Sequence, residues 1–383
     1  MPRRAIVTHI KKRHSAFCLV LASVAPPALA QQTPGASGPI EDLQDQAETA
    51  ARATEQLILP IPLSNPTLGT GLAVAIVRIY EPKGSGKPWT TGAAAMYTSR
   101  KDRAIGAFHN MSLQDDRLRF SALGGYASLP LKFYGIGADA GDRGIALNIQ
   151  QDVLGGRAEG LYEAAPDLHV GVRLRYQQVR TRIRLNPDRA PDIEIPPVQL
   201  RSSVVGLGPS LVFERTDAPF NPRNGVLVEG HWIFGITALG SDFAYSRATF
   251  SANGYRALSD ATGVAARVSF CAAGANAPYY DLCNYGQSND LRGYLNGQYR
   301  DRASWAAQVE LRQRLWGRLG GVAFAGIGGI APKISRIGDT TLLPAAGAGL
   351  RYQISKQYGI NASVDLAFGK DSHAIYFSVG EAF

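Results

Sequence analysis

From about Asn65 to Phe383 apolar and polar positions alternate with period two, in short segments separated by turn-rich stretches. In "LHVGVRLRYQ", Val170, Val172, Leu174 and Tyr176 alternate with Gly171, Arg173 and Arg175. In "SWAAQVELRQRL", Trp305, Ala307, Val309, Leu311 and Leu315 make one face, and Ser304, Gln308, Glu310, Arg312 and Arg314 the other. In "GVLVEGHWIFGIT", Val226, Val228, Trp232, Phe234 and Ile236 share a face, while Glu229 and His231 sit opposite with Leu227 and Ile233. Successive strand side chains point to opposite faces, so this pattern predicts strands with two unlike faces. There is no long helical periodicity and no run of eighteen apolar residues, which excludes a helical membrane bundle.

A soluble sandwich would show the same period, so the charged face decides. Glu310, Arg312 and Arg314 make a poor dry core, because an unpaired buried charge costs several kcal/mol. A polar interior and an apolar exterior describe a transmembrane antiparallel β-barrel. Roughly 320 residues at ~20 per strand and connection give ~16 strands, an even number as single-chain barrels require. Tight turns such as "SDATG", "WGRLG" and "SKQYG" alternate with longer excursions such as "TRIRLNPDRAPDIEIPP", the asymmetry of periplasmic turns and extracellular loops. Leu131–Ala165 reads as one strand or two, and only parity favours two. At the end, "HAIYFSVGEAF" places Ile375, Phe377, Val379 and the terminal Phe383 on one face, spaced as an aromatic girdle needs.

The N-terminus changes the charge balance. Residues 1–30 carry five cations, a short apolar run and Ala28-Leu29-Ala30, which reads as a cleaved secretory signal. Without Arg3, Arg4, Lys11, Lys12 and Arg13 the net charge of +9 becomes 9 − 5 = +4, too small to indicate a nucleic-acid partner. Residues 31–64 read as a short periplasmic segment in which "EDLQDQAETAARATEQ" favours a helix, and residues 65–383 as the outer-membrane barrel. Cys271 and Cys283 remain after the leader, and in an exported chain they predict a local disulfide worth ~3 kcal/mol by loop entropy.

More than thirty residues ahead of "WAAQVELRQRL" form a glycine-rich loop carrying "DLRGY", with Leu291, Arg292, Gly293 and Tyr294. Earlier come "KFYGIG" and the turn "RTDAPFNPRNG", with Asp217, Pro222 and Gly225; later comes "GAGLRY". Taken in order from about Leu59 to Phe383, these motifs resemble the barrel signature of the BamA/TamA-like superfamily, also called the bacterial surface antigen family. Its members include barrel-assembly factors and two-partner secretion transporters. In that family the loop folds back into the lumen and its arginine pairs with acids on the inner wall. The resemblance makes Arg292 the loop arginine and Glu310 a wall acid, and alternation independently turns Glu310 inward. Gly293 would let the backbone approach the wall, with Tyr294 packing or hydrogen-bonding beside it. The closing Phe383 resembles the terminal-strand signal that such barrels present to their assembly machinery.

Two departures from the family stand out. In "VAFAGIGGIA", Gly326 occupies a position where the family has an aspartate, a second partner for the loop arginine. Residues 31–65 leave no room for a periplasmic POTRA domain, so the chain resembles the branch without them, and client capture would need a partner protein or the N-terminal helix.

The chemistry of an enzyme is not visible. His109, His169, His231 and His373 are scattered without a zinc-like His-x3-His spacing, and no G-x-S-x-G elbow occurs. No catalytic residue, metal or cofactor is expected. Two functions fit: insertion or translocation of proteins or lipids through a weak seam, with outer-membrane lipids, client chains and a periplasmic protein as partners, or a plugged pore with a positive wall. A structural surface antigen would be a third.

Overall fold

The computed structural model describes residues 30–31, 56–65, 69–80, 82, 89–184, 195–218, 221–286, 290–354, 359 and 361–383. The expected leader and the helical stretch ahead of Gln56 lie outside them, apart from Ala30. Among the described residues the main sheet has seventeen strands, one of which is the two-residue Ala30–Gln31. The other sixteen are β1 (Gln56–Asn65), β2 (Gly69–Tyr80), β3 (Trp89–Thr98), β4 (Arg103–Leu113), β5 (Leu118–Phe133), β6 (Leu147–Ala165), β7 (Leu168–Ile183) and β8 (Arg201–Thr216), followed by β9 (Gly225–Gly235), β10 (Ser246–Ala257), β11 (Thr262–Ala273), β12 (Ala303–Trp316), β13 (Leu319–Ala331), β14 (Leu343–Gln353), β15 (Asn361–Gly369) and β16 (Ser372–Val379).

Every consecutive pair is an antiparallel ladder, as short connections permit. Ala30–Gln31 pair in parallel with Ala374 and Ile375 of β16. β1 starts at Gln56, ahead of the boundary expected at residue 65. The ambiguous segment holds the end of β5, a short helix α1 (Ala138–Arg143) and the whole of β6. Two strands run there because Gly135 and Gly137, both at positive φ, break the chain before α1, and Gly144 ends it.

The barrel is inside-out. On β7, Val170, Val172, Leu174 and Tyr176 are exposed on the outer face, as are Val309, Leu311 and Leu315 on β12. Gln308 and Glu310 of β12 are buried inward. Arg314 departs from the inward set: it is exposed at the rim, where a bulge between Arg314 and Trp316 shifts the register. Connections at one end are long (134–146, 184–200, 236–245, 274–302 and 332–342), while those after β6, β10 and β12 are tight. The interior is packed by the longest of them. Its Tyr279 and Tyr280 join Phe133, Ile149 and Val179 in one buried cluster. Its Tyr285, Leu291, Tyr294 and Tyr299 join Ile330 and Leu343 in another.

Candidate functional site

The β11–β12 connection starts at a disulfide: Cys271 at the end of β11 bonds Cys283, with Cα atoms 5.7 Å apart. Among the described residues the loop has little secondary structure of its own, a 3-10 turn at Tyr279–Asp281 and a two-residue ladder between Cys283–Asn284 and Arg300–Asp301. Side chains therefore fix it to the wall, at two places of opposite charge.

The first anchor is Arg292, which is fully buried. Its Nη2 donates to Glu310 Oε2 at 2.7 Å and its Nη1 to Asp365 Oδ2 at 2.6 Å. Its guanidinium carbon lies 3.5 Å from the centre of the Phe324 ring, a cation–π stack. Glu310 also accepts from Arg312 Nε at 2.8 Å, and Asp365 from Arg351. Arg351 Nε in turn donates to Glu381 Oε2 at 2.7 Å, and Asn361 Nδ2 donates to Glu381 Oε1 at 2.6 Å. Three guanidinium groups face three carboxylates, so the network is neutral and each carboxylate has two donors. That is the condition under which buried charge is tolerated.

The neighbours of Arg292 fit the wall closely. Gly293 has φ +110°, and a Cβ there would stand 2.7 Å from the Phe368 carbonyl carbon and 2.8 Å from Gly369 N, so no other residue fits without moving backbone. Its N–H donates to Tyr376 Oη at 2.8 Å, and its carbonyl accepts from Ser372 Oγ at 2.7 Å. Tyr294 donates to the Pro344 carbonyl at 2.6 Å and accepts from Lys370 N at 3.2 Å. Leu291 is fully buried, and it explains the missing aspartate. A Cβ at Gly326 would lie 2.9 Å from Leu291 Cδ1 and 2.5 Å from Gln308 Cγ. Leu291 and Gln308 crowd the space a carboxylate would take, and the second acid comes instead from Asp365, two strands further round.

The second anchor is Asp281, also buried. Arg175 of β7 approaches its carboxylate at 2.8 Å, the Tyr245 hydroxyl donates to it, and Arg247 of β10 stands at 3.9 Å. Burial alone would raise this carboxyl, but Arg175 and Arg247 outweigh it and hold it below the ordinary carboxylate value. A cap closes over the loop from α1, which follows "KFYGIG". Tyr299 Oη and Lys370 Nζ both donate to Asp142 Oδ1 at 2.8 Å, and Gln298 Nε2 donates to the Gly141 carbonyl at 3.1 Å. The Lys370 hydrogen bond, with that of Tyr299, holds Asp142 below the usual carboxylate range.

The turn motif lies at the opposite end of the barrel. Asp217 Oδ1 accepts from Arg223 N at 2.8 Å and its Oδ2 from Asn224 Nδ2 at 3.1 Å, Pro222 is buried, and Gly225 has φ +123°. Phe383 does not share the outer face with Ile375 and Phe377. Gly380, at φ +102°, ends the strand alternation, and Glu381 is held by Arg351, so the tail bends inward. Phe383 then lies 5.9 Å from the guanidinium carbons of both Arg292 and Arg312, and its carbonyl accepts from Arg312 Nη2 at 2.6 Å.

Sequence reasoning missed Asp365, Arg351, Glu381 and Asp281. The signal for Asp365 was present: "NASVDLAFG" alternates, with Asp365 its only acid, on the same parity as buried Asn361 and Ser363. Arg351 belongs to "GAGLRY", which carried no role. Among the described residues no cluster of His, Cys, Asp or Glu is placed to hold a metal ion.

A sixteen-stranded barrel whose longest loop is fastened into the lumen by buried ion pairs defines an outer-membrane β-barrel protein of the plugged type. Residues 77–383 match the Omp85 superfamily domain, and the chain belongs to that superfamily. Its fold is similar to BamA from Haemophilus ducreyi lacking POTRA domains 1–3, at 13% identity over 85% of this chain and 69% of that one, with a TM-score of 0.55. It is also similar to CdiB from Escherichia coli, at 12% identity over 88% and 70%, with a TM-score of 0.59. No curated protein matches the chain.

Proposed function

We propose that the protein works at its lateral wall, passing β-rich client chains or lipids through the junction of β1 and β16 while the lumen loop stays fixed as a plug. The observation that carries this reading is the two-sided fastening of the loop, through Arg292 to β12 and β15 and through Asp281 to β7 and β10. A lumen filled in this way leaves the wall as the working surface. The edge of β16 pairs with the two-residue Ala30–Gln31, where the expected leader ends. In hydrocarbon each unpaired backbone group costs several kcal/mol, so such an edge is a strong template for an incoming strand. The mechanism uses strand pairing and needs no nucleotide or cofactor. Its partners are outer-membrane lipids, client outer-membrane or secreted chains, and a periplasmic protein that delivers them.

The test is a set of engineered disulfides joining β1 to β16 in liposome-reconstituted protein. The unlocked protein is expected to accelerate folding of a urea-unfolded barrel client or lipid scrambling, and the locked form to lose this until reduced. Equal rates in both forms overturn the reading. A gated pore is the second reading, supported by a cavity beside the plug that Arg173, Arg175 and Arg247 help to line. It predicts steady conductance that rises when Arg292→Ala frees the loop and that is indifferent to the seam lock.

A further inference from the structure

A cavity of about 410 Å³ lies between the plug and the wall, lined by Arg157, Arg173, Arg175, Arg247, Arg267 and Arg300. The carboxylates lining it number four, so its walls carry 6 − 4 = +2. Arg157 and Arg175 stand directly opposite each other in the β6–β7 ladder, and both line the cavity. Glu159 is committed to Arg173, with 3.0 Å between Oε1 and Nε, and to the Ser210 hydroxyl. Asp281 is committed to Arg175 and Tyr245 and reaches Arg247 only at 3.9 Å. Among the described residues Arg247 Nε is buried with no hydrogen-bond partner, and Arg267 Nε, which also lines the cavity, is in the same condition. Thr249 and His231, hydrogen-bonded to each other at 2.7 Å, add neutral polar groups to the lining.

Guanidinium forks match the tetrahedral oxygens of phosphate better than any other protein group. We propose that this cavity binds a phosphate group, seated between Arg247 and the Arg157–Arg175 pair, where it competes with the plug's own Asp281. The group is either free inorganic phosphate or the phosphate of a lipid headgroup. Occupancy would weaken the outer anchor of the plug while leaving the Arg292 network untouched, so the ligand is an effector of the loop. The proposal stands on the cavity and the Asp281 anchor and is independent of how the seam behaves.

The experiment is calorimetric titration of the whole purified barrel, in an uncharged detergent, with sodium phosphate against sodium chloride of matched ionic strength. Saturable binding of one phosphate per barrel is expected, with none for chloride. Arg247→Gln is expected to weaken binding about tenfold or more, and Asp281→Asn, which removes the competing charge at constant volume, to tighten it by about tenfold. Cold SDS–PAGE mobility verifies that each variant is folded, and Arg180→Gln, an exposed arginine of β7, is expected to bind as the parent does. Displacement of phosphate by soluble short-chain phosphatidic acid assigns the site to a headgroup, and failure to displace assigns it to the free ion. The proposal is overturned if phosphate shows no saturable binding, if folded Arg247→Gln binds as tightly as the parent, or if Asp281→Asn binds more weakly.

Discussion

Replacing Arg292 by alanine removes one of three guanidinium groups from a neutral buried network and leaves three carboxylates facing two. Breaking a fully buried pair costs about 3–5 kcal/mol. Here Glu310 keeps Arg312 and Asp365 keeps Arg351, so each orphaned carboxylate retains a donor and the loss falls at the low end, about 3 kcal/mol. That figure includes the cation–π stack on Phe324, worth about 1 kcal/mol. The anchor acts on loop docking more than on the wall, and about 3 kcal/mol raises the undocked population by roughly two decades. The assay is labelling of Gln298→Cys with a membrane-impermeant maleimide, in a chain whose Cys18 is replaced by alanine, since Gln298 is buried beneath α1 and Cys271 and Cys283 are bonded to each other. Labelling is expected to accelerate about a hundredfold in the Arg292→Ala background. Arg292→Lys, which keeps the charge but loses the fork, is expected to fall between. Because Glu310→Gln removes the charge left behind, the double variant is expected to cost less than the sum of the two single changes. Unchanged labelling in a folded Arg292→Ala barrel, or strict additivity with Glu310→Gln, refutes the assignment of Arg292 as the anchor.

Restoring the family aspartate by Gly326→Asp is expected to loosen the plug by about 1–3 kcal/mol through overpacking against Leu291 and Gln308, seen as faster Gln298→Cys labelling; slower labelling would contradict it. Removing the disulfide with Cys271→Ala and Cys283→Ala, which closes a separation of 12 residues, is expected to cost about 3 kcal/mol of loop docking by the chain-entropy relation, measured by the same labelling. Asp281 sits below its ordinary value of 3.8, so its contribution is complete above that value and declines as pH falls through the lower folded value. Conductance in planar bilayers is therefore expected to be level from pH 7 to about pH 5 and to rise only below about pH 4, with Asp281→Asn showing the raised level at every pH.

The wall was legible because a strand that separates lipid from a polar lumen must alternate, and β7, β9 and β12 alternate in plain view. Arg292 was legible because an Arg-Gly-Tyr in a long loop is a recognisable motif, and Glu310 because parity alone turns it inward. Phe383 was misplaced because alternation was continued past Gly380, whose positive φ turns the chain off the strand. Asp281 left no trace, since it lies in irregular backbone and meets β7 and β10 only through the three-dimensional path of the loop.

Asp365 marks the boundary between these cases. Parity gives only one coordinate of an inward side chain, its face, whereas a partner needs a second, its height along the barrel. Height follows from register. Stepping across the ladders, Glu310 pairs with Phe324, Phe324 with Gly347, and Gly347 with Ala367, so Asp365 is the next residue of the same parity on β15. The two acids that hold Arg292 are thus neighbours on one inner face, three strands apart. Of the connections between β12 and β15, "WGRLG" closes a tight hairpin with Gly317 at φ +58°. The long 332–342 connection between β13 and β14 breaks any count of rungs along the chain, so the acid that stands in for the absent aspartate at Gly326 follows from the ladders and not from parity alone.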